Sequence, residues 1–175
     1  MAADAGGSVG VMARGGYYDL HSRTQGSATS IGVAEIEAAA AALELPAGPV
    51  RVADLGCAQG NNSLVPVRAA VEQLQARGAA AIDVVHTDLP TNDWATLFAV
   101  IENDPASYLV GHDDVHPFTV GRSFYRSLFP PATLHLGWAS SALHWLSAVP
   151  STVRDHFFVQ LSTDADAQAA FRARS

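Results

Sequence analysis

The sequence contains no lysine; all ten of its basic residues are arginine. Schiff-base chemistry and a P-loop both need a lysine amine and are excluded. Cysteine is nearly missing as well. Cys57 stands alone, so no intrachain disulfide can form and a reducing, cytoplasmic setting is expected. No apolar run approaches the length of a transmembrane helix. Residues 1–16 are small and Gly-rich, lack the basic start and apolar core of a signal peptide, and read as a flexible tail. Positive charge is outweighed: the net charge is −7, which argues against nucleic acid or an anionic membrane as partner. No internal repeat is visible.

What is present is the material of a globular domain. Of 175 residues, 49% are hydrophobic and only 15% charged, enough for one core spanning residues 17–175. Helical text runs from Ser27 to Leu45, with Ile31, Ala34, Ile36, Ala38 and Leu43 as its expected buried positions, and Pro46 ends it. Val50 to Gly56 reads as a short buried strand. The next helix starts at Asn62 or Ser63, carries Pro66 in its first turn and repeats Leu64, Val67, Val71 and Leu74 at helical spacing. A strand follows from Ala81 to Thr87. The helix after it, about Asp93 to Asn103, has Trp94, Leu97, Phe98 and Ile101 on its inner face. Further strands are expected at Val115–Val120 and Thr133–Trp138, and a last helix at Asp164–Arg174. Strands alternating with helices define a doubly wound α/β fold around a parallel sheet of about four strands. A complete sheet of this kind has more strands, so the chain reads as truncated.

Three stretches carry chemistry. The first is the strand-to-helix loop Asp54-Leu55-Gly56-Cys57-Ala58-Gln59-Gly60-Asn61-Asn62. Its glycines allow close backbone approach to a ligand, and the helix that follows offers free N–H groups. It is not a G-x-G-x-x-G loop, and an acidic residue ahead of it suits an ammonium or hydroxyl donor better than a pyrophosphate. The second is Asp88, at the carboxyl edge of the sheet, where a carboxylate can accept both hydroxyls of a ribose. Asn92 and Asp93 follow closely enough to cap the next helix without it. The third is a pair of strand-end segments, Gly121 to Tyr125 and Trp138 to Ser147. Phe124 there could stack on an adenine, and His144 and Trp145 offer ring N–H donors to a carboxylate; the alternative makes Trp145 and Leu146 core residues. The run His112-Asp113-Asp114-Val115-His116 sits in an expected loop and is read as solvated, with no metal assigned.

These motifs, taken in order, resemble those of the SABATH methyltransferases. The family's opening G-G…S-Y-x-x-N-S-x-x-Q corresponds to Gly15 to Gln25, its D-L-G-C-S-S-G-P-N to Asp54 to Asn62, and its N-D-L-P-x-N-D-F to Thr87 to Trp94. Its G-S-F-Y-x-R-L-F-P corresponds to Gly121 to Pro130 and its S-L-H/M-W-L-S-x-V-P to Ala142 to Pro150. The resemblance implies a Rossmann-like class I methyltransferase fold and S-adenosylmethionine as cofactor, acting on the carboxyl group of a small organic acid. It implies cofactor contacts from Tyr18, Cys57, Asn62, Asp88, Leu89, Ser123 and Phe124, and acceptor contacts from Gln25, His144 and Trp145. Gln25 and Trp145 would hold the carboxylate, which needs no general base, so no catalytic acid or base is expected. Two positions depart from the pattern: the family's tyrosine three residues before His144 is Ser141, and the Asn of N-S-x-x-Q is His21. The family's later strands and helical cap have no counterpart. Beside an active enzyme, the sequence therefore supports an alternative, a non-catalytic remnant that binds cofactor or a partner without turnover. A homodimer remains open.

Overall fold

A computed structural model describes residues 32–174 apart from 144, 145 and 157. The expected tail at residues 1–16 and the site residues Tyr18, Gln25, His144 and Trp145 lie outside the described residues. The chain divides into two compact units, Met1–Ala142 and Leu143–Ser175.

The first unit is built from α1 (Val33–Ala42), β1 (Val50–Leu55), α2 (Leu64–Ala76), β2 (Ile82–Asp88), α3 (Trp94–Asn103), β3 (Val115–Gly121) and β4 (Leu136–Trp138). The strands form one sheet in the order β3-β2-β1-β4, every pairing parallel. The expected parallel sheet of about four strands is thus observed. Chain order runs outward from β1 through β2 to β3, then returns to place β4 on the other side of β1. The switch point lies between β1 and β4, and ligands in such sheets bind at the carboxyl ends beside it.

Helical periodicity decides which residues enter the core. In α2, Leu64, Val67, Val71 and Leu74 are all buried as expected, joined by Pro66 and Ala70. Pro66 sits in the first turn, where its missing N–H has no intrahelical partner to lose. Arg77, just past α2, donates to the carbonyls of Ala40 (2.8 Å) and Leu43 and so closes the C-terminal end of α1. In α3, Asp93 caps the helix by accepting from Thr96 N at 3.2 Å. Leu97 and Ile101 are buried and Trp94 packs against them.

Several expectations shift. Phe98 is 39% exposed; it lies about 100° round the helix from Leu97 and falls at the edge of the inner face. In α1, Ala34 and Ala38 are exposed, and Ile36 and Ala40, one turn apart, form the buried stripe. β4 begins at Leu136 instead of Thr133. Ala132 has φ +58, and the ring Nδ1 of His135 accepts the Arg51 N–H at 2.8 Å. A side chain thus takes the place of a ladder carbonyl, and regular pairing starts one residue later.

The second unit holds a 3-10 turn (Val159–Leu161), which the periodicity does not reveal, and α4 (Ala165–Arg172). Asp164 caps α4 by accepting from the N–H groups of Asp166 and Ala167. Ala167 is the buried residue of this helix. Asp155 accepts from Ser162 Oγ, Thr163 N and Thr163 Oγ1, each at 2.6 Å. Among the described residues, no helix is long and apolar enough to cross a membrane.

Candidate functional site

The carboxyl ends of β1 and β2 are tied together by the loop after β1. Gly56 N and Cys57 N both donate to Thr87 O, at 2.8 and 3.1 Å. Gly56 has φ +82, and a Cβ there would collide with that of Ala142, in the segment after β4. Only glycine fits this bend, and the close approach draws the ends of β1 and β4 together. Gly60 has φ +96, and a Cβ there would lie 2.7 Å from Leu97 Cδ1 of α3.

Ala58 is the fixed point of the loop. It adopts φ +48, a conformation that costs an L-residue roughly 1–2 kcal/mol. Both its main-chain groups are held from the β2–α3 turn: Ala58 N donates to Asp88 Oδ2 at 2.9 Å, and Asn92 Nδ2 donates to Ala58 O at 2.6 Å. Asp88 Oδ1 accepts from Leu89 N at 2.7 Å. The Asp88 carboxylate is therefore oriented by one N–H on each oxygen, and each oxygen keeps a further lone pair. Burial pushes its pKa up, the two N–H groups oppose that shift, and the nearby Asp54 adds to it. As the sequence suggests, Asp88 is not the helix cap; Asp93 is.

The register pairs Asp88 with Gly121, so Ser123 and Phe124 leave β3 at the same end of the sheet as Asp88 and Leu89. Gly121 comes close to Pro90 Cα and Trp94, which seats the end of β3 against the same turn. Ser123 and Phe124 are half-buried, and the Phe124 ring leans on Tyr125 with centroids 5.0 Å apart. Asn62 is half-buried in the turn before α2. The fold thus gathers Cys57, Asp88, Leu89, Ser123 and Phe124 along one edge of the sheet, with Asn62 at the head of α2.

Two residues of this loop are withdrawn from solvent. Cys57 is 5% exposed and its thiol faces the core, so a ligand on the loop would meet its main chain. Asp54 is 2% exposed, and its carboxylate is bound within the core. Its Oδ2 lies 2.9 Å from His86 Nδ1, and His86 Nε2 lies 2.9 Å from Tyr108 OH. The acidic residue ahead of the loop thus braces the interior. Sequence spacing missed this chain because Asp54 and His86 are 32 positions apart and meet only through the β1–β2 register. It also missed Trp138, whose Nε1, at the end of β4, is buried with no partner among the described residues.

A parallel α/β sheet with a glycine-bearing loop at the β1 end and an acidic residue closing β2 is an architecture shared with nucleotide-binding α/β proteins. The sequence pattern of the SAM dependent carboxyl methyltransferases matches residues 12–165, and the chain belongs to that family. It is similar to Gibberellic acid methyltransferase 2 of Arabidopsis thaliana, with 37% identity over 60% of this chain and 29% of the relative. It is similar to Methyltransferase FUS9 of Gibberella moniliformis (33% over 80% of this chain and 39% of the relative). Loganic acid O-methyltransferase of Catharanthus roseus is 30% identical over 78% of this chain and 40% of the relative. Among solved structures, a loganic acid methyltransferase with SAH superposes with a TM-score of 0.73 at 24% identity, covering 90% of this chain and 48% of that one. The chain spans between 29% and 40% of the length of these three curated relatives.

Proposed function

We infer that this chain binds S-adenosylmethionine at the carboxyl edge of β1–β3 and serves methyl transfer to the carboxyl group of a small organic acid. The observation that carries the reading is the clamp on Ala58: Asp88 and Asn92 hold a left-handed alanine between two positive-φ glycines, at each of which a Cβ would collide with the protein's own side chains. The residues fit the cofactor. Asp88, oriented by Ala58 and Leu89, is set to accept the ribose hydroxyls, and the half-buried Phe124 offers a ring face for the adenine. Leu89, Ser123, Asn62 and the main chain at Cys57 complete this part of the site, with Tyr18 added by the family resemblance.

When bound, the cofactor supplies an electrophilic methyl group on a sulfonium. The chain's own contribution is positional. The loop has its shape before a ligand arrives, because Thr87, Asp88 and Asn92 already fix its main chain. A carboxylate is a nucleophile at neutral pH, so the acceptor contacts assigned by resemblance, Gln25, His144 and Trp145, would orient it without acting as acid or base. The relatives' printed names include gibberellic acid and loganic acid, which supports a small carboxylic acid as acceptor class. A cytoplasmic setting is part of the proposal, supported by a single, buried cysteine. A homodimer is also part of it, supported by the exposed Phe118 on the edge strand β3, and sedimentation tests it.

The test is calorimetry with S-adenosylhomocysteine beside NAD, then a tritiated-methyl assay over a panel of aromatic and aliphatic acids. Binding of S-adenosylhomocysteine and not NAD, with label transferred to an acid, is the expected result. Binding of neither nucleotide would overturn the reading; binding without transfer to any acid would leave a cofactor-binding protein and remove the acceptor class.

A further inference from the structure

Beneath the cofactor loop, on the core side, Asp54, Cys57 and His86 bring a carboxylate, a thiol and an imidazole together, with one ligand atom from each all within 4.8 Å of one another. The fold places them there by register and by the bend at Gly56. Asp54 and His86 are direct partners across β1 and β2, and Cys57 turns inward three residues after Asp54. All three are buried, and His86 is fully so. We propose that this cluster is a binding site for a borderline-soft divalent cation, Zn²⁺ above all, held by Cys57 Sγ, His86 Nδ1 and a carboxylate oxygen of Asp54. The sequence alone gave no reason to assign a metal, because no spacing motif joins residues 54, 57 and 86. The proposal rests on this cluster and stands independently of the methyltransferase reading.

Three features support it. The donor set is one that selects zinc over magnesium or calcium, which prefer all-oxygen sites. Zinc bonds of about 2.0–2.3 Å place tetrahedral ligands roughly 3.3–3.8 Å apart. The Asp54–His86 pair at 2.9 Å would open by a few tenths of an ångström, and the thiol, within 4.8 Å of its partners, would close by about 1 Å. The second feature is the surrounding shell. Tyr108 OH sits 2.9 Å from His86 Nε2, the nitrogen that would not bind metal, and fixes the ring orientation. Asn92 Nδ2 lies 3.9 Å from Cys57 Sγ and can donate to a thiolate. The third is charge. A divalent ion with one carboxylate and one thiolate is neutral overall, so the bound site would place no net charge in the core. On binding, the thiol proton leaves to solvent and the neutral imidazole keeps its proton on Nε2, facing the Tyr108 oxygen as acceptor. Three protein ligands leave the fourth tetrahedral position to water. Because Cys57 is in the loop that Asp88 and Asn92 hold from the ligand side, the ion would fasten the same loop from below.

The test uses the untagged full chain, stripped with a chelator and titrated with Co²⁺, then with Zn²⁺. Cys57 is the only cysteine, so a near-ultraviolet thiolate-to-cobalt charge-transfer band reports this site and not the surface histidines His112 and His116. The expected result is a band that saturates near one Co²⁺ per chain, is bleached by Zn²⁺, and is accompanied by a higher Tm. Cys57→Ser should remove the band, the Tm rise and the bound zinc. No thiolate band in the wild type, or zinc retained equally by Cys57→Ser, would overturn the proposal. Should Cys57→Ser fail to fold, the wild-type cobalt spectrum decides alone.

Discussion

Two aspartates organise two turns of this chain, and their environments push them in opposite directions. Asp88, at the end of β2, is half-buried; burial raises its pKa even though two backbone N–H groups oppose the shift. Asp155, in the second unit, is exposed, and its pKa is lowered, first by the Ser162 hydroxyl and then by the Thr163 hydroxyl and N–H. Donor number does not separate them as much as solvent does. A carboxylate that water can reach gains from every donor, whereas one withdrawn from water is left short of solvation that a ligand's hydroxyls could restore. That contrast fits a ligand-binding role for Asp88 and a local structural role for Asp155.

The largest expected effect tests whether the Asp88 turn depends on the strand-end geometry. Gly56→Val should destabilise the first unit by about 2–4 kcal/mol, combining left-handed strain with overpacking against Ala142. Urea unfolding measures it, and a change within error would mean the bend tolerates a side chain. Next is Asp88→Ala, expected to weaken S-adenosylhomocysteine binding by about 1.5–3 kcal/mol, the range for a hydrogen bond to a charged group. Unchanged calorimetric affinity would reduce Asp88 to a loop brace.

The pH dependences should separate the two residues without mutation. Asp88 has a raised folded-state pKa, so it takes up its proton above the ordinary value of 3.8. As pH falls through that window, cofactor affinity should decline, because the ionised carboxylate is the acceptor, while the fold itself gains slightly from losing a poorly solvated charge. Asp155 has a lowered pKa, so its contribution is full above 3.8 and is lost only at lower pH. Ligand titrations and amide exchange at Thr163, followed from pH 6 downward in acid steps, should therefore show affinity failing first; the reverse order would refute the comparison. The smallest effect is that of Asp155→Ala. It should speed amide exchange at Thr163 and leave S-adenosylhomocysteine affinity untouched, since the residues proposed to bind the cofactor are in the other unit.

The sheet was largely legible from the sequence because β1 and β2 are short buried runs bounded by turn residues and α2 carries a strong period-3.6 pattern. Where contrast is weak, the reading drifted: an alanine-rich helix gives no sign that Ala40 is inside and Ala38 outside. Asp88 was legible as a site residue because its neighbours announce a strand end and a cap. The partner of Asp54 was not legible, for the opposite reason. Local text shows an acid before a loop, and only the strand register reveals that His86 lies beside it. The division after Ala142 leaves no compositional mark, so it too went unread.

The parallel pairing of β4 with β1 has a consequence for the order of assembly. Arg51 and His135, which begin that pairing, are 84 positions apart, whereas Arg51 and Asp83, across β1 and β2, are 32 apart. Closing the longer loop costs roughly 0.9 kcal/mol more chain entropy, and a three-residue strand offers few bonds in return. β4 is therefore expected to dock after the β1–β2–β3 sheet has formed and to open before it. Native-state hydrogen exchange would show this as faster exchange at Leu136–Trp138 than at the centre of β2. The switch point beside the cofactor loop would then be completed last, a late-closing seam in a sheet that is otherwise already built.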